Sequence, residues 1–286
     1  MFVLIIGAGT MGSGIAYTAA EADNKVYLYD IKAEIVQNAL KNIEHLLDEK
    51  ISKGKIDPVK KNGILGNINP AYDLDNIQPR VDLVIEAAAE NLMIKKDIFK
   101  KIDNIFPEQT IFTTNTSALS VTEIANTTKR PEKVAGMHFF NPAPVMALIE
   151  IVKGARTSPD TINFIKDFAE KIGKTPIIVN ETPGFVVNRI LVPMINEAVY
   201  ALMENVADAE DIDKGMKLGA GHPIGPLSLA DMIGLDICLA VMETFYTEFG
   251  DSKYRPCPLL RKMVRAGYLG RKTGKGFFDY SQKQYI

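Results

Sequence analysis

The fold of this chain is decided by residues 2–12, which read FVLIIGAGTMG. The apolar run at residues 2–6 favours a β-strand that ends at a glycine. A helical pattern follows over residues 11–22, and residues 25–29 predict a second strand. This order predicts a βαβ unit at the N-terminus of the chain.

Three glycines of this stretch, Gly7, Gly9 and Gly12, form the pattern G-x-G-x-x-G. The pattern alone is a weak signal, but here it follows a predicted strand and opens a predicted helix, as dinucleotide sites require. There the glycines permit a tight turn, close approach of backbone amides to a pyrophosphate, and close packing of helix on strand. We therefore expect this loop, including Thr10 and Met11, to hold a dinucleotide at a helix N-terminus.

An acidic residue, Asp30, stands at the end of the second predicted strand, 23 residues after Gly7. Its carboxylate could accept hydrogen bonds from ribose hydroxyls and would repel a 2′-phosphate. NAD is therefore favoured over NADP, although Lys32 nearby leaves the use of both open. Alternatively, the glycines serve only a tight turn and Asp30 caps the strand end.

Strand and helix patterns continue to alternate beyond this unit. Further strands are predicted at residues 81–85, 110–113, 133–137, 147–152 and 175–179, and helices at residues 33–53, 92–106 and 159–172. After the tripeptide TPG at residues 182–184, only helical patterns follow, at residues 185–203, 208–218, 227–249 and 259–266. We predict an α/β, Rossmann-type domain at residues 1–184 with a mostly parallel sheet, whose final two strands can run antiparallel to others, and an all-α C-terminal domain at residues 185–286.

The bulk properties exclude several classes of protein. Since 33 basic and 35 acidic residues leave a net charge of -2, there is no large field to attract nucleic acid. No stretch approaches the ~20 uninterrupted apolar residues of a membrane-spanning helix, and the N-terminus lacks a secretory signal. Cys238 and Cys257 form neither a disulfide framework nor a metal-ligand pattern, so we expect a reducing, cytoplasmic location and no metal.

A histidine, His138, ends one predicted strand, where an open α/β sheet faces its ligand crevice. A lone histidine is more often structural, but Glu150 lies on the next predicted strand, beyond a turn that contains Pro142 and Pro144. A carboxylate beside an imidazole can hold one ring nitrogen and stabilise the imidazolium, so that the other nitrogen takes a proton. The pair predicts acid–base catalysis.

Longer motifs occur at residues 7–12 (GAGTMG), 115–117 (NTS), 138–142 (HFFNP) through Glu150, 183–189 (PGFVVNR) and 270–277 (GRKTGKGF). On these motifs the sequence resembles the L-3-hydroxyacyl-CoA dehydrogenase family, and most of all its bacterial members that act on 3-hydroxybutyryl-CoA. The likeness extends over nearly the whole chain. At Thr114 and Ala118 the chain departs from the family, which usually has serines there.

The resemblance implies hydride transfer between C3 of an L-3-hydroxyacyl-CoA and NAD, with His138 as the proton acceptor and Glu150 as its partner. It implies that Ser117 and Asn188 hydrogen-bond the reacting oxygen of the substrate. Asn141 is expected beside the cofactor and the histidine. The other positions that the resemblance assigns to the cofactor site are Glu90, Lys95, Asn115, Ser117 and Lys272.

Several of these residues also have structural interpretations. Ser117 and Asn115 could cap a helix that starts at Val121, and Asn188 could cap the helix after Gly184. Charged side chains at helix ends form a second set of residues with a structural interpretation.

In that second set, Glu90 and Lys95 could form a solvated pair at a helix end. Lys50, Lys53 and Lys55 lie where the family binds the phosphorylated adenosine of coenzyme A, but a solvated charged face explains them as well. Of these lysines only Lys53 is predicted as a substrate contact.

Two other functions stay open from sequence alone. One is a dehydrogenase of a free hydroxy acid on the same fold, and some such enzymes use a lysine as the acid–base group. The other is an NAD-binding protein without turnover. The C-terminal domain, rich in Leu, Ile and Met, is expected to close over the substrate and to form a homodimer.

Overall fold

The structure is a computed structural model that describes residues 1–77 and 80–281. The chain divides into two compact units, Met1–Thr182 and Pro183–Ile286. The boundary expected near Gly184 lies next to this division. The last residues of the predicted helical domain, 282–286, lie outside the described residues.

The first unit alternates strands and helices. Its strands are β1 (Phe2–Ile6), β2 (Lys25–Tyr29), β3 (Ile68–Ala71), β4 (Leu83–Glu86), β5 (Ile111–Thr114), β6 (Val134–Phe139), β7 (Leu148–Lys153) and β8 (Thr175–Asn180). Its α-helices are α1 (Thr10–Glu21), α2 (Ala33–Ser52), α3 (Pro58–Leu65), α4 (Leu92–Ile105), α5 (Val121–Ala125) and α6 (Pro159–Lys171).

Within the described residues these strands form one eight-stranded sheet in the order β3-β2-β1-β4-β5-β6-β7-β8. Strands β1 to β6 are parallel, β7 is antiparallel to β6, and β8 is parallel to β7. The predicted Rossmann-type, mostly parallel sheet is confirmed, with the last two strands reversed relative to the rest. The strand order changes direction between β1 and β4, and ligands bind at the carboxyl ends of strands at such a point.

Apolar residues of β1 enter the cores on both faces of the sheet. Val3 and Ile5 belong to the core shared with α1, α2, α3 and α6, whereas Leu4 and Ile6 belong to the core shared with α4 and α5. This two-sided burial explains why the run at residues 2–6 shows no polar alternation. Each fully buried side chain of this size contributes about 1.5–3 kcal/mol.

Some elements of the first unit were not predicted. Strand β3 reads INPA, and its two central residues are exposed, so it lacks a run of β-favouring residues. Helix α3 carries local signals that could have located it: the Asp57 side chain caps the helix by accepting from the Lys60 amide at 2.7 Å, and Pro58 follows at the first helical position.

The second unit is helical. Its helices are α7 (Val187–Met203), α8 (Ala209–Gly219), α9 (Pro226–Ile233), α10 (Leu235–Phe249) and α11 (Pro258–Arg265). Its core includes Ile195, Leu227, Met242, Phe245 and Leu260. The predicted all-α character of this unit is confirmed, but the single helix expected at residues 227–249 is wrong. Gly234, with φ of +109°, interrupts it in a conformation that L side chains rarely adopt.

In the described part of the chain, no helix has both the length and the apolar character needed to cross a membrane.

Candidate active site

The glycine-rich loop connects β1 to α1. Gly7 has φ of +100°, and a Cβ there would lie 2.5 Å from the carbonyl oxygen of Ala87. A Cβ on Gly12 would overlap the carbonyl oxygen of Gly7. At Gly9, which precedes α1, a Cβ would meet no other described atom within 4 Å, and no side chain caps the helix. The first amides of α1 therefore have room for an anion, which fits the pyrophosphate of a dinucleotide.

The carboxylate of Asp30 lies against this loop. Asp30 directly follows β2 and is half-buried; its Oδ2 accepts from the Ala8 amide at 2.9 Å and its Oδ1 from the Lys32 amide at 3.2 Å. These bonds agree in part with the strand-end cap considered from sequence. The partial exposure of Asp30 is what a ribose contact beside the loop also needs. Thr10, exposed, and Met11, partly buried, open α1.

The sheet brings His138, Glu150 and Ser117 together. The antiparallel register of β6 and β7 pairs His138 with Glu150, and Nδ1 lies 2.7 Å from Oε2. Nε2 of the same ring lies 3.2 Å from Oγ of Ser117. The histidine is 5% exposed and the glutamate is fully buried. With Nδ1–H donating to the carboxylate, Nε2 of the neutral ring is the nitrogen that can accept a proton.

The turn between β6 and β7, residues 140–147, is held by a lysine that was not predicted. Lys174 is buried, and its Nζ donates to the carbonyl oxygens of Ala143 at 2.7 Å and Met146 at 2.8 Å. Desolvation lowers the pKa of Lys174 below its ordinary value. Asn141 is exposed at the start of this turn and precedes a cis peptide bond.

The loop that carries Ser117 is held by hydrogen bonds on two sides. Oε1 of Glu90 accepts from the Ser117 amide at 2.8 Å and from the Thr116 hydroxyl at 2.6 Å. Oδ1 of Asn115 accepts from the Phe139 amide at 2.8 Å, which links the loop to the strand of His138. Glu90 and Asn115, both expected at the cofactor site, thus position the Ser117 loop.

The cap of α5 is Ser120, whose hydroxyl accepts from the Glu123 amide at 3.0 Å. The alternative interpretation of Asn115 and Ser117 as caps of this helix is therefore wrong. The Ser120 hydroxyl also donates to Glu181 at 2.6 Å, and Glu181 lies just after β8. That long-range contact had no signal in the sequence.

A buried ion pair lies next to the Ser117 loop. Lys95 has no exposed surface, and its Nζ donates to both carboxylate oxygens of Glu86, at 2.8 and 2.9 Å. The same Nζ lies 3.5 Å from Oε2 of Glu90. The interpretation of Glu90 and Lys95 as a solvated pair is therefore wrong for Lys95. Glu86 was not predicted, although an acidic residue at the end of an apolar strand is an available signal.

Two predicted site residues lie in the second unit. Asn188 is the second residue of α7 and follows the N-cap position, Val186, so the interpretation of Asn188 as a cap is wrong. Lys272 is exposed, and its Nζ donates to both carboxylate oxygens of Asp236, at 2.6 and 2.7 Å.

Lys53 directly follows α2, and its side chain is 60% exposed. Its Nζ lies 3.1 Å from Oε2 of Glu49, four residues earlier, in a contact typical of a solvated helix face. Lys50, by contrast, donates to the Tyr17 hydroxyl and to the Glu21 carboxylate. The two lysines therefore have different surroundings.

Among the described residues, no group of three or more His, Cys, Asp or Glu side chains could hold a metal ion. Both cysteines are buried thiols, and burial raises the pKa of Cys238 to about 12. The cytoplasmic location stays a prediction.

Family models match both units of the chain. The model for the "3-hydroxyacyl-CoA dehydrogenase, NAD binding domain" matches residues 2–182, and the model for the C-terminal domain of the same enzymes matches residues 184–280. The first unit is therefore an NAD-binding domain, and the predicted cofactor is confirmed.

Similar proteins align over nearly their full length. A probable 3-hydroxybutyryl-CoA dehydrogenase of Bacillus subtilis is 50% identical over 281 residues, which cover 98% of each chain. A 3-hydroxybutyryl-CoA dehydrogenase of Clostridioides difficile is 49% identical and covers 99% of this chain and 100% of its own. The crystal structure of an (S)-3-hydroxybutyryl-CoA dehydrogenase from Ralstonia eutropha superposes with a TM-score of 0.95 at 50% identity, covering 98% and 99% of the two chains. This chain belongs to the 3-hydroxyacyl-CoA dehydrogenase family.

Proposed function

We propose that this chain interconverts L-3-hydroxyacyl-CoA and 3-ketoacyl-CoA with NAD, and that its preferred acyl group is 3-hydroxybutyryl. The observation that carries the proposal is the His138 imidazole between the Glu150 carboxylate and the Ser117 hydroxyl. The names of the bacterial relatives that align from end to end support the four-carbon acyl group.

In the oxidation, the C3 hydroxyl gives its proton to Nε2 of His138 while the hydrogen on C3 leaves as hydride. Bound NAD supplies the acceptor for that hydride. Glu150 accepts from Nδ1–H and balances the positive charge that the ring gains. In the reduction, the imidazolium returns the proton to the same oxygen. A positioned acid–base group of this kind contributes about 10²–10⁴-fold in rate.

We assign the reacting oxygen two hydrogen-bond partners, Ser117 and Asn188. Ser117 Oγ lies 3.2 Å from Nε2 of His138, so an oxygen that exchanges a proton with that nitrogen can also reach the hydroxyl. Asn188 is the second partner, supported by its motif and by its place in the first turn of α7.

The cofactor is assigned to the carboxyl ends of the first strands. Gly7, Gly9, Thr10, Met11 and Gly12 are proposed to face the pyrophosphate. Asp30 is proposed to accept from the adenosine ribose hydroxyls, which favours NAD over NADP. The residues proposed to complete the cofactor site are Glu90, Lys95, Asn115, Ser117, Asn141 and Lys272.

For the coenzyme A end of the substrate we propose a contact with Lys53. The support is its exposure at the end of α2, where the ammonium can exchange its ion pair with Glu49 for a phosphate. Such a solvated pair contributes little to stability, so the exchange costs little.

The experiment follows NADH absorbance with acetoacetyl-CoA, longer 3-ketoacyl-CoAs and free acetoacetate side by side. We expect the highest kcat/KM with acetoacetyl-CoA. Turnover of free acetoacetate but not of the thioesters would favour a dehydrogenase of a free hydroxy acid. NADH binding without turnover of any of them would favour a non-catalytic NAD-binding protein.

We also propose a homodimer formed through the second unit. Exposed apolar side chains of this unit include Ile190, Val206, Leu218, Met232 and Ile237. Exposed apolar side chains mark protein–protein interfaces when they form a contiguous patch. Light scattering of the full chain at micromolar concentration should give the mass of a dimer, and the mass of a monomer would contradict the proposal.

A further inference from the structure

The ion pair of Glu86 and Lys95 plays no part in the proton and hydride transfers described above. Glu86 is the last residue of β4, Lys95 lies in the first turn of α4, and both are fully buried. Burying two opposite charges costs several kcal/mol for each ion, and their attraction often fails to repay this. Stability alone is therefore a weak reason for this pair.

The carboxylate of Glu86 joins three segments at the carboxyl edge of the sheet. Besides the Lys95 ammonium, Oε1 accepts from the Ala88 amide at 2.7 Å and Oε2 accepts from the Thr114 hydroxyl at 2.6 Å. Thr114 is the last residue of β5 and stands where the family usually has a serine. Threonine keeps the hydroxyl of serine, so this difference from the family preserves the hydrogen bond to Glu86.

From Lys95 a continuous series of polar contacts leads to the catalytic histidine. The ammonium lies 3.5 Å from Oε2 of Glu90, and the other oxygen of Glu90 accepts from the Ser117 amide at 2.8 Å. The Ser117 hydroxyl in turn lies 3.2 Å from Nε2 of His138. Glu90 is itself 44% exposed, so water competes for its carboxylate unless a cation holds it.

We infer that Glu86 is a positioning residue that holds the Lys95 ammonium against Glu90, so that Glu90 fixes the backbone of Ser117 beside His138. Lys95, proposed above to complete the cofactor site, then acts there through Glu90, because its ammonium is already shared between two carboxylates. This inference rests on the proposed function for the role of Ser117.

The test is the double variant Glu86→Gln/Lys95→Met, which removes both charges and leaves no uncompensated ion in the core. We expect it to fold, with kcat for acetoacetyl-CoA reduced on the order of tenfold because the Ser117 loop is misplaced. The dissociation constant of NADH, measured by fluorescence, should rise. If both kcat and the NADH dissociation constant equal those of the wild type, the inference is overturned.

A matched control is Asp103→Asn. Asp103 forms another buried pair of this unit, with Oδ1 at 2.7 Å from Nε of Arg130, and neither residue contacts the series described above. We expect this variant to lose stability but to keep wild-type kcat and NADH affinity. Equal losses of activity in the control and the double variant would mean that the double variant loses activity only because it is less stable. That result would overturn the inference.

A conservative variant adds a second readout. Glu86→Asp keeps the negative charge near Lys95, so it should retain more kcat than Glu86→Gln. Equal kcat for these two variants would argue against a role for the charge.

Failure of this inference can be distinguished from failure of the proposed function. A wild-type chain that does not turn over acetoacetyl-CoA refutes the proposed function. The inference is then still decided by the NADH affinity of the double variant measured against Asp103→Asn.

Discussion

Two acid–base pairs of the first unit are alike in distance and burial. Nδ1 of His138 lies 2.7 Å from Glu150, and Nε of Arg130 lies 2.7 Å from Asp103. All four residues are buried. By distance and burial alone, both pairs would therefore qualify as candidate sites.

The two pairs differ in what the remaining nitrogens of the base contact. The other nitrogens of Arg130 donate to three backbone carbonyls between residues 103 and 107. The second ring nitrogen of His138 faces the hydroxyl of Ser117. Arginine also keeps its proton at any working pH, whereas histidine exchanges it near neutrality. A buried pair is therefore a catalytic candidate when its base can exchange a proton and faces a reactive group.

The strongest test of this difference is His138→Ala. Because the variant removes the proposed proton acceptor, kcat should fall about 10²-fold or more while NADH binding changes little. Steady-state kinetics with acetoacetyl-CoA and NADH fluorescence titration measure the two quantities. Full activity in this variant would eliminate the proposed mechanism.

A smaller loss is expected for Glu150→Gln, which keeps the shape of the side chain but removes the charge that stabilises the imidazolium. We expect kcat to fall on the order of tenfold, less than in His138→Ala. The same kinetic assay measures it, with circular dichroism as the control for folding. Wild-type kcat would leave His138 as the base but remove Glu150 from the mechanism.

A third carboxylate, Asp30, accepts from backbone amides and is expected to select the cofactor instead of moving a proton. Asp30→Ala should lower the preference for NADH over NADPH by about tenfold, mainly through better use of NADPH. The ratio of kcat/KM for the two cofactors measures this. An unchanged ratio would show that another residue excludes the 2′-phosphate.

The smallest effect on activity is expected for Asp103→Asn. The variant leaves the Arg130 cation buried without a carboxylate, so the free energy of unfolding should fall by about 3 kcal/mol. Chemical denaturation measures this loss, and kcat should stay that of the wild type. A large loss of kcat at a temperature where the variant is fully folded would contradict this prediction, because the structural pair would then behave like the catalytic one.

Much of the catalytic site could be predicted because its parts are local in the sequence. His138 and Glu150 lie on consecutive strands joined by a short turn, and an antiparallel register places such residues side by side. The glycine loop is likewise a local motif between a strand and a helix. For both, spacing along the chain and distance in the fold are closely related.

Other residues depend on contacts between segments far apart in the sequence. Lys174 reaches back to the turn after β6, and Glu181 reaches back to Ser120. From the sequence alone, each resembles an ordinary surface residue near the end of a helix or strand. Their hydrogen bonds follow from the order of the strands, which periodicity alone does not determine.

Local patterns in the chain predict the dinucleotide-binding unit, the helical second unit and the pairing of His138 with Glu150. The burial of Lys95 against Glu86, the capping of α5 by Ser120 and the break at Gly234 became evident only from the fold. Strand and helix periods, and contacts across a short turn, depend on neighbouring residues. Burial, charge neutralisation and the choice among several possible caps depend on which distant segments pack together.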